Sequence, residues 1–330
     1  AEPFIVSAMG SHGGGTEEGQ REVLAGYGIT EERLGVPVVT TVDTVYLGNC
    51  ANGRPVWFDR AAYEADLIVP INRVKLHTDF VGSIQSGLCK MLVIGLGNHK
   101  GCSAVHEEAP EVFADAIEET ARLILQKAPV GFGIAILENA YDKTYDVEAV
   151  PAEHLVEREK ELVQIAKGNM PYIMLDEADV IVCGAIGKDI SGAGFDPNIL
   201  GRSSVLKQFV LHIPRYQRLV LCDVTPASHG NGIGVGLFDV ITKKVAEQLD
   251  LESMYANAIA CNCLGDASVP CTVDDEETAI RVALKCCRNI DRDHPRIIRI
   301  QNTLHLGEIE VSEALLDAVR ADSRMSLIEN

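Results

Sequence analysis

The pattern that most constrains the fold is an alternation kept up along the whole chain. Strand-length apolar runs and amphipathic helical segments follow one another, with glycine-rich turns between them. Residues 4–9, 37–41, 44–47, 55–58 and 66–74 read as strands, the last of them buried, and Asn52-Gly53 is a hairpin turn signal. Residues 16–24 read as a helix with Thr16 as N-cap ahead of Glu17 and Glu18, although Gly19 at the third position denies it a capping box. Residues 111–127 place Val112, Phe113, Ala116, Ile117, Ala121 and Ile124 at helical spacing, and 154–167 repeat the pattern. Strands at 179–183, 218–223 and 296–300 then alternate with helices at 276–287 and 311–321. Repeated β-α-β order predicts an α/β fold of parallel or mixed sheets covered by helices.

At 330 residues the chain exceeds what one hydrophobic core usually supports, so two domains are expected. The least compact stretch is 166–176, with Gly168-Asn-Met-Pro171, which puts a cofactor and catalytic-histidine domain at 1–170. A second α/β domain spans 171–330, its last helix (311–330) packing back on the first, with the site in the cleft between them. The chain starts at Ala1-Glu2-Pro3 without an initiator Met and runs straight into a strand, so an upstream segment is expected.

Composition narrows the function. Acidic side chains outnumber basic ones 48 to 29, a formal charge of −19 that repels phosphate backbones and anionic membranes. No apolar run approaches the ~20 residues a bilayer requires. The expected partner is a small molecule, with no nucleic acid and no membrane. An anionic substrate still fits, because Arg73, Lys75, Lys90, Lys100, Lys188 and Arg202 can line a local basic pocket. Ten cysteines without a C-x-x-C pair, and no signal peptide, read as reduced thiols of a cytoplasmic protein.

Two clusters carry the chemistry. Gly10-Ser-His-Gly-Gly-Gly15 lies between a strand and a helix, at the sheet edge where α/β proteins bind ligands and where backbone N–H groups favour an anion. It does not follow the dinucleotide pattern G-x-G-x-x-G. His77 closely follows the strand at 66–74, so His12 and His77 can converge as acid and base. Lys90 stands in an apolar stretch that would desolvate its ammonium and make it a nucleophile or covalent tether. The plainer readings are a solvated loop histidine and a lysine with only its stem buried. Sixteen residues of unbroken helix would put His106 about 24 Å from Lys90, but Gly95, Gly97 and Gly101 allow a reversal. His99 and His106 share a helix face, and either can serve as metal ligand.

With these four positions in this order, the chain resembles the lactate racemases that use a nickel-pincer nucleotide, together with their homologous isomerases. The resemblance covers most of the chain and is looser in the C-terminal half. It implies a racemase or epimerase of a 2-hydroxy acid or related polyol acid. Lys90 would be joined to the nicotinate-derived cofactor through a thioamide, with Gly13, Gly14 and Gly15 beside it. His106 would be the nickel ligand, with His99 as the alternative, and His12 and His77 the two acid/bases. The α-hydrogen would leave as hydride to the cofactor while one histidine takes the hydroxyl proton. The family carries an acidic residue and an arginine upstream of the first histidine, beyond the start of this chain.

The run 186–202 lies where the lactate enzyme sets polar side chains over its substrate, without matching residue for residue, which implies a different substrate. Lys188, Asp189 and Arg202 are candidates to grip it, the two cations for a carboxylate, with a solvated loop as the plain reading. His229, in the glycine-rich stretch after Asp223, is a fourth candidate or part of a structural turn. Two other classes remain: a hydrolase or lyase with a divalent metal on His77, His99 and His106, and a non-catalytic small-molecule or metal carrier.

Overall fold

Short strands joined by long connections organise the first half of the chain in the computed structural model, which describes residues 1–328. The chain divides into two units, Ala1–Met170 and Pro171–Asn330. In the first, β1 (Ile5–Val6) pairs in parallel with β2 (Val38–Val39). An antiparallel hairpin joins β3 (Thr44–Asn49) to β4 (Pro55–Asp59) across Asn52-Gly53. The third sheet sets β5 (Ile71–Arg73) parallel to β6 (Phe132–Glu138), which pairs antiparallel with β7 (Thr144–Pro151).

Several expectations need correction here. The strand at 4–9 shrinks to two residues, and that at 66–74 shrinks to Ile71–Arg73. The latter is not buried, since Leu67 and Ile71 are exposed. It lies at the edge of a three-stranded sheet, so alternate side chains point away from the helices. The β6–β7 hairpin escaped the sequence reading altogether.

The helices of this unit bury what their periodicity promises. Phe113–Lys127 turns Ile117, Ala121 and Ile124 inward, and Leu155–Asn169 turns in Leu155, Leu162 and Val163. Between these helices and β6 runs a helical turn, Leu88–Lys90, that continues as a π-helical turn, Met91–Gly95. Gly133 of β6 makes room for it, because a Cβ there would lie 2.6 Å from the Leu88 side chain. The Asn98–His106 helix follows and packs on β4, tied by Asn98 Nδ2 to Asp59 Oδ2 at 2.8 Å.

The second unit is one six-stranded sheet. Its strands are β8 (Val180–Cys183), β9 (Arg218–Leu221), β10 (Val240–Thr242), β11 (Cys271–Val273), β12 (Ile297–Ile300) and β13 (Glu310–Val311). They lie in the order β11-β10-β9-β8-β12-β13, all parallel except the final pair. Every residue of β8 is buried, as a central parallel strand requires. The Glu276–Cys286 helix covers it with Ala279 and Ala283 against Val180, Val182 and Val220. The expected helix at 311–321 is instead a strand end, a 3₁₀ turn and a short helix, Leu316–Ala321. Among the described residues no helix is long and apolar enough to cross a membrane.

Gly10 joins the first strand to the π-helical turn. It has φ +61°, and a Cβ there would sit 2.9 Å from the Ile94 carbonyl, whereas Gly14 at φ +68° faces open space. Gly14→Ala should therefore cost only the left-handed backbone penalty, about 1 kcal/mol, and Gly10→Ala a further 1–2 kcal/mol or so. Urea unfolding of the two variants checks this order.

Candidate active site

A closed loop folds His77 back over Lys90. Lys75 and Ser86 exchange backbone hydrogen bonds of 2.8 and 3.1 Å, which pins both ends of the loop just ahead of the helical turn. Within it the Gln85 side-chain oxygen accepts the His77 N–H at 2.8 Å. Phe80 stacks on the imidazole with centroids 4.2 Å apart. The aromatic contact continues through Phe113 to His106, at 4.9 and 5.1 Å, so one chain of rings links the two histidines.

Lys90 Nζ lies 2.6 Å from His77 Nε2. Burial pushes the lysine down to about 8; Asp79 opposes the shift and Lys75 adds to it. His77 falls well below the ordinary histidine range, first through burial and then through the neighbouring Lys90, Lys75 and His106. A neutral imidazole beside an easily deprotonated amine is suited to proton exchange and to nucleophilic attack near neutral pH.

His106 ends the Asn98–His106 helix and is anchored one turn back. Its Nδ1 lies 2.8 Å from the Cys102 carbonyl and 3.5 Å from Cys102 Sγ. An Nδ1–H donating to a carbonyl fixes the tautomer and makes Nε2 the lone-pair nitrogen, the usual preparation of a metal-binding imidazole. The Cys102 contact raises the His106 pKa against the effect of burial. Burial pushes the Cys102 thiol up, but His106 and Ser11 outweigh it and hold the thiol below its ordinary value.

The glycine loop docks on this same segment. Gly10 N–H donates to the Gly95 carbonyl at 3.0 Å, Ser11 Oγ lies 3.8 Å from Cys102 Sγ, and the Gly15 α-carbon region approaches the His99 ring. His12 therefore belongs to a loop held against the Lys90–His106 stretch, and it is exposed. Thr16 caps the following helix as expected, its Oγ1 accepting from Gly19 N–H at 3.1 Å. The Gly15 and Thr16 N–H groups donate to the His12 and Gly13 carbonyls, so the loop spends them on its own 3₁₀ turn. His99 is exposed on the helix that ends in His106. No group of three His, Cys, Asp or Glu side chains able to hold a metal forms among the described residues, so His77, His99 and His106 make no metal-ligand trio.

The substrate candidates of the second unit separate. Lys188 N–H donates to Ser228 Oγ at 2.9 Å, and the Thr225 hydroxyl donates to Asp189 Oδ1. Lys188 Nζ donates to the Gly192 carbonyl and to Asn257 Oδ1, each at 2.6 Å. These loops leave the C-terminal ends of β8 and β9, which brings Lys188, Asp189 and the exposed, left-handed His229 to one sheet edge. Arg202 does not join them. Its guanidinium donates to the Leu237 carbonyl at 2.8 Å and to Asp239 Oδ2 at 2.6 Å, and it stacks over Tyr216. Asp239 immediately precedes β10, so Arg202 lies at the opposite edge of the sheet, about 10–13 Å away at the rise of a four-residue strand. After Asp223 the chain passes through 3₁₀ turns at Pro226–Ser228 and Val235–Leu237 into β10. Arg73 is spent on Glu138 at 3.0 Å, and Lys100 lies over Trp57.

Sequence reasoning missed Ser11, Asp79, Phe80, Cys102 and Glu159. Cys102 stands four residues before His106 and Asp79 two after His77, spacings that were readable. Glu159 had no local signal. It is fully buried and accepts the Cys89 N–H at 2.8 Å, capping the helical turn that carries Lys90. Gly87 leaves the space, since a Cβ there would lie 2.7 Å from the Glu159 carboxyl.

Residues 2–115 match the lactate racemase N-terminal domain family. Among solved structures, the lactate racemase apoprotein from Thermoanaerobacterium thermosaccharolyticum is similar at 14% identity and a TM-score of 0.52, over 92% of this chain and 78% of that one. A Thermotoga maritima protein aligns at 12% identity and a TM-score of 0.45, over 94% and 73% of the two chains. No curated protein matches. The fold is thus that of the racemase apoprotein: several sheets, mixed and parallel, covered by helices.

Burial raises Glu159 to about 7, above its ordinary value of 4.5. The folded chain then binds this proton more tightly than the unfolded one, so the group's contribution is fully present below pH 4.5 and is lost as pH rises through 7. The loss amounts to roughly 3 kcal/mol at 1.36 kcal/mol per unit. Urea unfolding at pH 5 and pH 7.5 should show that decline in the parent, and Glu159→Gln should flatten it.

Proposed function

We propose that this chain, whose residues 2–115 match the lactate racemase N-terminal domain family, is an isomerase that inverts the hydroxyl-bearing carbon of a 2-hydroxy acid or related polyol acid. The observation that carries the reading is the gathering of Lys90 and His77, and of His106 with Ser11 and Cys102, inside the matched segment. A lysine that loses its proton near neutrality and a histidine with its Nε2 lone pair ready are what a tethered metal cofactor requires.

The residues present fit a nickel-pincer nucleotide. Lys90 would hold it covalently and His106 Nε2 would bind the metal. A metal that arrives with donors of its own needs one protein ligand, so the missing trio argues against a directly bound metal and leaves this reading intact. When bound, the group would supply a hydride acceptor beside nickel. All other roles belong to the chain. His77, neutral at pH 7 because it is buried, would present its Nε2–H to the substrate oxygen and donate that proton, with Nδ1 held as an acceptor by the Asp79 N–H at 3.1 Å. His12, on the docked glycine loop, would serve the opposite face, since inversion needs a group on each side of a flat carbon. Phe80 covers one face of the His77 ring, and Phe113 packs behind Phe80.

Within the second unit, the loops carrying Lys188, Asp189 and His229 would bind a polar or anionic group, and this set differs from the one first read because Arg202 is committed to Asp239. The chain would act on a small molecule in the cytoplasm, without nucleic-acid or membrane partners.

Produced together with the cofactor pathway, the intact protein should carry a covalent mass adduct at Lys90, absent in Lys90→Ala. An unmodified mass in the parent would refute the tether. His106→Ala should lose nickel by metal analysis while its unfolding curve stays unchanged; retained nickel would move the ligand role to His99. His12→Ala and His77→Ala should each slow interconversion of stereoisomers by about 10²-fold or more, the usual worth of a general acid or base. Chiral chromatography reads that rate.

A further inference from the structure

Two hydrogen bonds to one imidazole decide the state of the lysine beside it. Asp79 N–H donates to His77 Nδ1 at 3.1 Å, so Nδ1 bears no proton. A neutral ring then carries its proton on Nε2, the atom 2.6 Å from Lys90 Nζ. An ammonium has three donors and no acceptor, and would turn an N–H against an N–H. The contact is satisfied when Lys90 is an amine whose lone pair accepts from Nε2–H. The same lone pair becomes the nucleophile in an acylation of Lys90 once the contact with Nε2–H opens.

We propose that in the unloaded chain His77 holds Lys90 as a free amine poised for acylation, so the imidazole assigned to proton exchange also prepares the attachment point. The proposal rests on reading Lys90 as that point, and it makes His77 a positioning residue in a step that precedes turnover. In the step, the amine nitrogen attacks the carbon of an activated thioacyl donor, which keeps its C=S sulfur, and a C–N bond forms. The bond from carbon to its leaving group breaks with the electron pair departing on that group, and the extra N–H proton passes to water. No oxidant or reductant is required.

The surroundings agree. Lys75 faces both members of the pair and disfavours added charge on either, while Asp79 and Cys102 oppose it at Lys90. His106 faces His77 and acts in the same direction as Lys75. Burial is the largest influence at both groups. Below, the helical turn bearing Lys90 is capped by Glu159 through the Cys89 N–H, which fixes the direction from which the amine reaches the ring.

Trace acetylation with acetic anhydride tests this on the full chain prepared without cofactor. The nitrogen displaces acetate, and peptide mass spectrometry reads the labelling of each lysine from pH 6 to pH 10. Lys90 should label with a midpoint about two units below the exposed Lys127 and Lys285. His77→Ala should raise the Lys90 midpoint by about half a unit to one unit, the worth of one hydrogen bond, and His77→Gln, which keeps an N–H, should restore part of the shift. A Lys90 profile that coincides with the two exposed lysines overturns the proposal, as does a lowered midpoint that neither His77 variant moves. Because no cofactor is present, a low midpoint that depends on His77, combined with no adduct after co-production, would leave this inference standing and refute the cofactor reading alone.

Discussion

Everything distinctive about the first unit depends on burying one helical turn that carries a lysine. Leu88, Cys89 and Leu92 are fully buried between the Phe113–Lys127 and Leu155–Asn169 helices and the β6 strand. That enclosure lowers the amine and raises the Glu159 carboxyl beneath it, because a charge in a poorly solvated interior costs free energy whatever its sign. It also explains two glycines, Gly87 and Gly133, whose side-chain space is taken by Glu159 and Leu88. Packing and reactivity at this point are one constraint seen from two sides.

The second half of the site is held by backbone contact rather than by side-chain packing. Gly10 bonds to Gly95, and a Cβ on Gly95 would meet the Ala8 carbonyl at 2.7 Å, so strand end and π-helical turn touch main chain to main chain. The wider turn at Met91–Gly95 redirects the chain so that the next helix presents His106 and Cys102 to the same loop. Asn98, left-handed at φ +50° between the π-helical turn and that helix, marks the bend between Lys90 and His106, sixteen residues apart.

In the second unit sheet polarity sorts the candidates. Loops leaving the C-terminal ends of parallel strands carry Lys188, Asp189 and His229, at the edge where α/β sheets bind ligands. Arg202 sits at the other edge, where the Asp239 carboxylate and the Tyr216 ring claim its guanidinium. All four lay in glycine-rich or loop-like sequence, and composition held no sign of which edge each would reach.

The sequence alone determined the alternation of strands and helices, the Thr16 cap and the β3–β4 hairpin, because periodicity, capping and turn chemistry are local. It overstated β1 and β5 and missed the β6–β7 hairpin, since a strand's extent is set by the neighbours it pairs with. Only the tertiary structure decided that His77 meets Lys90 at hydrogen-bonding distance, that Ser11 meets the Cys102 thiol that contacts His106, that Glu159 lies beneath the lysine, and that Arg202 is spent on an ion pair. Those are contacts between residues from 4 to 91 positions apart, and Cys102–His106 alone among them is local enough to be read from spacing.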